Sequence, residues 1–279
     1  MKKLIQILTL LSLLISFLSA CSNANQSDMG DVIYMFESED IPTLDIHNAT
    51  DPISFNTLAN VMEGLVMQSP TKGEVVEGVA QSWSFDENTL TWTFNLNPNS
   101  NWVDFTGTKQ RNISASDFVY AWDRLLQGEA FQYAFLLKDV AKVVSYKAID
   151  NLTFSVTLSE NVPYFLSIMT FPSTYPLASE IVKNNYGTTP ENTWYNGAYY
   201  LSEWTHGSQF IWTKNNSYWD ASVVHTPAVV WRVIENYNPA TGIELYDAGE
   251  IDYVPLTGDF VTQRKDDEDA IVQQDTAIY

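Results

Sequence analysis

Residues 196–220, NGAYYLSEWTHGSQFIWTKNNSYWD, contain the pattern that decides the fold. The runs Ala198 to Trp204 and Phe210 to Lys214 flank the turn pair His206-Gly207, and this arrangement predicts a β-hairpin. Asn196-Gly197 ahead of the first strand is typical of a tight turn with positive φ. We expect the aromatic pair Tyr218-Trp219 to pack under the resulting sheet.

Outward from this stretch, hairpins alternate with helices. Alternating apolar residues predict hairpins over 83–96 and 143–158, and strands are expected at 32–36, 65–67, 229–234 and 251–254. An apolar stripe with helical spacing predicts a helix from Pro52 that Gly64 ends, and Ser114 with Asp117 predicts the start of another. Further helices are expected at 163–169, 176–183 and 240–248. The sequence therefore predicts a mixed α/β fold.

The net charge of the chain limits the kinds of molecule that it can bind. Fourteen Lys and Arg residues stand against 34 Asp and Glu residues, so the formal net charge is −20. Nucleic acid is excluded as a partner because no basic surface is available to neutralise phosphates. The acidic run 266–269 is interpreted as a solvated face.

No motif for catalysis or for metal binding occurs in the sequence. The glycines form no phosphate-binding loop, and the patterns GxSxG, HExxH and CxxC are absent. His47, His206 and His225 are far apart and lie near turn residues, so we expect surface or turn histidines. We predict no catalytic residue, cofactor or metal, although a pair of carboxylates for glycoside hydrolysis stays open at this point.

The N-terminus has the pattern of an exported protein. Lys2 and Lys3 precede an apolar run from Leu4 to Leu18, which leads into Leu18-Ser19-Ala20-Cys21. This resembles the lipobox of bacterial lipoproteins, and Cys21 is the single cysteine of the chain. The resemblance implies a lipid on Cys21 and a location on the outer face of the cytoplasmic membrane. The alternative is an ordinary signal peptide or a membrane anchor, for which the run is short.

Several segments in collinear order resemble one protein family. They are Thr43-Leu44-Asp45, Thr50-Asp51, the helix 55–64, and the segments 78–83, 91–96, 114–124, 196–220 and 245–252. Together they are similar to the oligopeptide-binding lipoproteins of peptide ABC importers, which form solute-binding family 5.

The resemblance implies a receptor of the type II periplasmic-binding-protein class. Only its N-terminal part, lobe I with a small inserted β-rich subdomain, is expected here. The predicted organisation is a signal peptide at 1–21, a flexible tether at 22–30, the start of lobe I at 31–60, the inserted subdomain at 61–172, a return to lobe I at 173–265, and the start of a crossing to a second lobe at 266–279.

The same resemblance implies a function in transport. Family members hold an extended peptide mainly through its backbone and deliver it to ABC permease subunits in the membrane. We expect a receptor that is monomeric at full length. The alternatives are a receptor for a signalling peptide such as a pheromone, a secreted lipoprotein hydrolase, and a nonfunctional truncated remnant.

Candidate peptide-binding residues follow from the family match. The loop Thr50-Asp51-Pro52 corresponds to a segment that meets the peptide backbone, and Tyr133 is the candidate for an aromatic contact from the smaller subdomain. Asn196, Gly197 and Trp204 lie near the cleft by resemblance, with a structural role favoured. Because family members continue through a second lobe, we expect this chain alone to bind oligopeptides weakly.

Overall fold

The computed structural model describes residues 31–69, 73–127, 131–183, 185–235 and 237–271. Cys21, the predicted signal peptide and the tether lie outside these residues. Twelve described strands are β1 Ile33–Glu37, β2 Val66–Gln68, β3 Val75–Glu77, β4 Ala80–Asp86, β5 Thr91–Leu96, β6 Asn101–Val103, β7 Lys109–Asn112, β8 Val143–Ala148, β9 Thr153–Leu158, β10 Tyr199–Thr205, β11 Gln209–Lys214 and β12 Ala228–Val233. The α-helices are α1 Pro52–Val61, α2 Ala115–Gln127, α3 Phe165–Ile168, α4 Pro239–Asp247 and α5 Asp259–Arg264.

The first sheet has the order β1-β12-β11-β10 and contains the hairpin predicted from 196–220. β1 pairs with β12 in parallel, and the other pairs are antiparallel. Phe210 lies opposite Trp231, and Leu201 lies opposite Trp212. All four side chains are buried, so this face of the sheet is an aromatic-rich core surface.

The second sheet has the order β4-β5-β9-β8 and joins the two other predicted hairpins through β5 and β9. Helix α2 packs on it, with the Phe118 and Trp122 rings 5.4 and 5.1 Å from the ring of Phe154. These three side chains are completely buried. All strands of this sheet fall within the range 61–172, whereas the first sheet combines strands from 31–60 and 173–265.

The start of α2 agrees with the capping pattern predicted at Ser114. The Asp117 carboxylate accepts the backbone N–H of Ser114 at 2.9 Å, and it also accepts the Trp102 indole N–H at 3.2 Å. Arg111 donates to both oxygens of Asp117 at 2.8 and 2.7 Å. One carboxylate therefore begins the helix and connects it to β6 and β7, which form a separate two-stranded sheet.

Three sequence predictions about local structure are wrong. Helix α1 ends at Val61, and Gly64 lacks a positive φ. Glycine is needed there because a Cβ would lie 2.6 Å from the ring of Tyr175. Residues 176–183 form a loop with a turn at 179–181 instead of a helix, and 251–254 form no strand. Within 251–254, Asp252 makes two hydrogen bonds to Tyr34 of β1. Its N–H donates to the Tyr34 carbonyl at 2.8 Å, and its carboxylate accepts the Tyr34 N–H at 2.7 Å.

The two four-stranded sheets share one continuous core of buried apolar side chains, which includes Phe94 and Phe154 from the second sheet and Phe210 and Trp231 from the first. Among the residues that the structure describes, none of the helices combines the length and hydrophobicity needed to cross a bilayer.

Gly197 lies where β10 meets the end of α1, and its predicted positive φ is also wrong. A Cβ at this position would lie 2.7 Å from the Asn60 carbonyl oxygen, the Val61 carbonyl carbon and the Met62 nitrogen. Its own N–H donates to the Val61 carbonyl at 3.0 Å. Glycine is therefore required by the close approach of two backbones, not by a special dihedral angle.

We predict that Gly197→Ala lowers the free energy of unfolding by at least about 2 kcal/mol, because backbone atoms cannot move aside as a flexible side chain would. Urea denaturation measures the change. Gly207→Asn is the matched control, since Gly207 has φ +68° in an open turn that asparagine tolerates. Equal stability of Gly197→Ala and wild type would contradict the argument.

Candidate functional site

The loop Thr50-Asp51-Pro52 forms the N-terminus of α1. The Asp51 side chain caps the helix by accepting the Ser54 N–H at 2.8 Å, and Pro52 occupies the first turn. Thr50 and Pro52 are exposed. The carboxylate of Asp51 therefore shapes the loop, while Thr50 and the loop surface are accessible to a ligand.

Four aromatic rings lie beside this loop and form what we call the aromatic cluster: Phe55, Tyr133, Phe135 and Phe171. The Phe55 ring is 5.4 Å from that of Tyr133 and 4.8 Å from that of Phe171. Tyr133 also contacts Phe171 at 4.9 Å and Phe135 at 6.2 Å. The structure thus brings the predicted residue Tyr133 against the helix that begins at Pro52.

Arg124, Asp45 and His47 form a hydrogen-bonded group next to the segment that carries Tyr133. Arg124 on α2 donates to both carboxylate oxygens of Asp45 at 2.8 and 2.6 Å, and to Nδ1 of His47 at 2.8 Å. Its guanidinium carbon lies 4.8 Å from the ring centre of Phe131. Because this arginine is bidentate and stacked, it fixes both the chain before Thr50 and the chain before Tyr133.

His47 is a turn histidine, as the sequence predicts, but it is buried. Only 1% of it is exposed, whereas His206 and His225 are exposed as expected. Burial and then the charge of Arg124 lower the pKa of His47 to about 3. The imidazole is therefore neutral, and since Nδ1 accepts from Arg124, the proton is on Nε2.

Asn196 and Gly197 lie at the opposite end of α1, where they hold the residues that follow it. The Asn196 side chain accepts the Glu63 N–H at 3.1 Å and donates to the Glu63 carbonyl at 2.9 Å. A helix of ten residues is about 15 Å long, so this pair is well separated from Thr50. Trp204 occupies a third location, where its indole N–H donates to Asp40 at 2.7 Å. The predicted residues therefore form three separate groups.

Glu63 is a buried carboxyl group that sequence analysis missed. Tyr218 donates its hydroxyl to Oε1, and Trp219 donates its indole N–H to Oε2 at 2.8 Å. Burial raises the pKa of Glu63 to about 8, although both hydrogen bonds act in the opposite direction. The sequence predicts that Tyr218-Trp219 pack under the sheet. In the structure both side chains hydrogen-bond to Glu63, which precedes Tyr218 by 155 residues. No local pattern could have revealed that pair.

We predict that Glu63→Gln removes part of the pH dependence of stability. The folded carboxyl ionises near pH 8 and the unfolded one near 4.5, so wild-type stability falls as pH rises through this range. The loss should be on the order of 3–5 kcal/mol, and it should be absent in Glu63→Gln. Urea midpoints at pH 5 and pH 9 measure the difference. Glu87→Gln, in an exposed turn, should keep the wild-type profile, and an equal slope for Glu63→Gln would contradict the prediction.

A cleft of about 430 Å³ lies elsewhere, against α5, and is lined by Tyr246, Tyr253, Val261 and Arg264 among others. It contains none of the predicted site residues. In the part of the chain that the structure describes, His, Cys, Asp and Glu side chains form no group of three or more placed to bind a metal ion.

Comparison with known proteins identifies relatives that match this fold. The chain is 32% identical over 230 residues to the periplasmic oligopeptide-binding protein OppA of Salmonella typhimurium, covering 76% of this chain and 41% of that protein. It is 30% identical over 287 residues to a dipeptide-binding protein of Lactococcus lactis, covering 95% and 50%. The chain therefore spans about half the length of the curated relatives it matches.

Solved structures agree with this relationship and confirm the expected mixed α/β fold of a substrate-binding protein. The substrate-binding domain of an oligopeptide ABC transporter from Bacillus anthracis superposes with a TM-score of 0.78 at 32% identity, covering 87% of this chain and 49% of that one. The pheromone receptor PrgZ gives 0.74 at 26% identity, covering 85% and 49%. The model of bacterial extracellular solute-binding proteins, family 5 Middle, matches residues 74–279. The chain therefore belongs to family 5 of the bacterial extracellular solute-binding proteins.

Proposed function

We propose that this chain is the substrate-binding component of an ABC-type oligopeptide importer. It captures extended peptides and delivers them to permease subunits, without catalysis. The observation that carries the proposal is the exposed loop at the start of α1, held next to the partly exposed aromatic cluster. Relatives named for binding oligopeptides and dipeptides support it.

The loop and the cluster suit an extended peptide for different physical reasons. Loop residues at a helix N-terminus present backbone polar groups, which recognise a peptide backbone independently of its sequence. Aromatic rings contribute contact area with little loss of conformational entropy. In this proposal Thr50 and Tyr133 contact the peptide, and Asp51 and Pro52 shape the loop. Asn196, Gly197 and Trp204 act as scaffold, since their contacts are with α1, Glu63 and Asp40.

A receptor for a signalling peptide is the second candidate. The similarity to the pheromone receptor PrgZ favours it, because the same fold serves that function there. Selectivity separates the two functions: an importer accepts many sequences of suitable length, whereas a signalling receptor prefers one.

We further propose that Cys21 carries the lipid that holds the chain at the outer face of the cytoplasmic membrane. The apolar run before Cys21 and its position at the end of a lipobox-like tetrapeptide support this role. A net charge of −20 repels the protein from anionic headgroups, so an anchor has to supply the attachment.

We predict that calorimetric titration of the chain, purified in detergent micelles, detects saturable peptide binding that is weaker than micromolar. Because backbone hydrogen bonds supply the affinity, replacing alternate peptide amides by N-methyl amides should weaken binding at least about tenfold. Scrambling the sequence of a peptide that lacks aromatic residues should have little effect, and a strong effect would favour the signalling receptor. The absence of saturable binding would contradict the proposed function, and micromolar or tighter binding would contradict the expected weakness.

We predict that the chain, expressed in a bacterium supplied with labelled palmitate, incorporates the label and fractionates with membranes. Cys21→Ser should abolish both, because the chain has no other cysteine. Ser19→Ala, two residues earlier, is the control and should retain the label. Label on Cys21→Ser would disprove the assignment.

A further inference from the structure

The aromatic cluster is partly exposed to solvent. Phe135 is 44% exposed, and Phe55, Tyr133 and Phe171 are each half-buried. By contrast, the rings that pack α2 on the second sheet are completely buried. Four touching rings that stay partly in water form an apolar surface of the kind that marks a binding site.

The segment that carries Tyr133 and Phe135 is held at both ends. Phe131 lies under the guanidinium of Arg124, which the buried Asp45 fixes through two hydrogen bonds. Leu137, two residues after Phe135, is completely buried in the core. The rings are therefore presented by a rigid support, and binding to them costs little ordering.

The other two rings are positioned equally well. Phe171 precedes Pro172 and Ser173, both buried, and the Ser173 hydroxyl donates to the Ile46 carbonyl at 3.1 Å. Phe55 lies three residues after Pro52, so it shares a helix face with the loop. The apolar surface is thus continuous with the loop that is proposed to meet the peptide backbone.

Tyr133 adds a polar group to this apolar surface. Its hydroxyl makes no hydrogen bond to the residues that the structure describes, although the ring itself contacts three others. A half-buried tyrosine with an available hydroxyl can pair with a peptide amide while its ring packs on a side chain. The cluster can therefore hydrogen-bond to the backbone amide of one peptide residue and pack against its side chain.

We propose that the aromatic cluster is a side-chain subsite that selects a large apolar residue of the bound peptide, with an aromatic ring preferred. This inference rests on the proposed function, and it adds a sequence preference at one peptide position to an otherwise tolerant site. Offset or edge-to-face packing against the four rings favours an aromatic guest over glycine by about tenfold.

The first test uses N-acetyl-phenylalanine amide and N-acetyl-glycine amide as probes, with the full chain and saturation-transfer NMR. We expect transfer to the phenylalanine probe, a loss of at least about threefold in Phe135→Ala, and no loss in Tyr164→Ala. Tyr164 is the matched control because it is 55% exposed. Phe55→Leu serves as a second variant, with circular dichroism to establish that each variant is folded.

Equal transfer to both probes, or transfer that neither Phe135→Ala nor Phe55→Leu reduces, would overturn the subsite. A second measurement separates this failure from failure of the proposed function: calorimetry with a pentapeptide in which phenylalanine replaces glycine at each position in turn. Peptide binding that is indifferent to phenylalanine at every position overturns the subsite and leaves the proposed function intact. A chain that binds the phenylalanine probe but no peptide refutes the proposed function, and with it the assignment of the cluster to a bound peptide.

Discussion

Two hydrogen bonds between the side chain of Asn196 and the backbone of Glu63 connect the parts of this molecule that are distant in sequence. They fix the chain that follows α1 against the chain that leads into β10, and the close approach at Gly197 leaves no space for slippage. This contact holds the C-terminal end of α1, and the loop 50–52 lies at the other end of the helix. The loop that is proposed to meet a peptide therefore lies about 15 Å from this buried amide.

Local patterns predicted the elements that are stabilised locally. The hairpins β4-β5, β8-β9 and β10-β11 were predicted because alternation along a strand is visible in the sequence, and α2 was predicted because Ser114 and Asp117 carry their own capping signal. The short antiparallel pairs β2-β3 and β6-β7 were not predicted. The errors at Gly64, Gly197 and Ile251 have a common origin. At each position the conformation depends on residues far away in the chain, namely Tyr175, Val61 and Tyr34.

The sequence likewise predicted some residues of the candidate site and missed others. Family resemblance identified Tyr133 and the loop 50–52, which the structure places on adjacent elements. It could not show that Arg124, Asp45 and His47 form the support behind them, because that group exists only after α2 packs against the chain before α1. Charge statistics described an acidic surface, but the informative carboxyl groups are the buried ones. Asp45 is neutralised by a bidentate arginine, whereas Glu63 has only neutral donors.

The parallel pairing of β1 with β12 has a consequence for the order of events during synthesis. Ile33 has to find Val229, which is made roughly 200 residues later, and at ~5–20 residues per second the first strand waits about 10–40 s for its partner. During that time β1 lacks its native partner strand, and pairing between strands so distant in sequence forms slowly. The first sheet is thus completed only after most of the described chain has been synthesised, whereas all strands of the second sheet are available by Leu158.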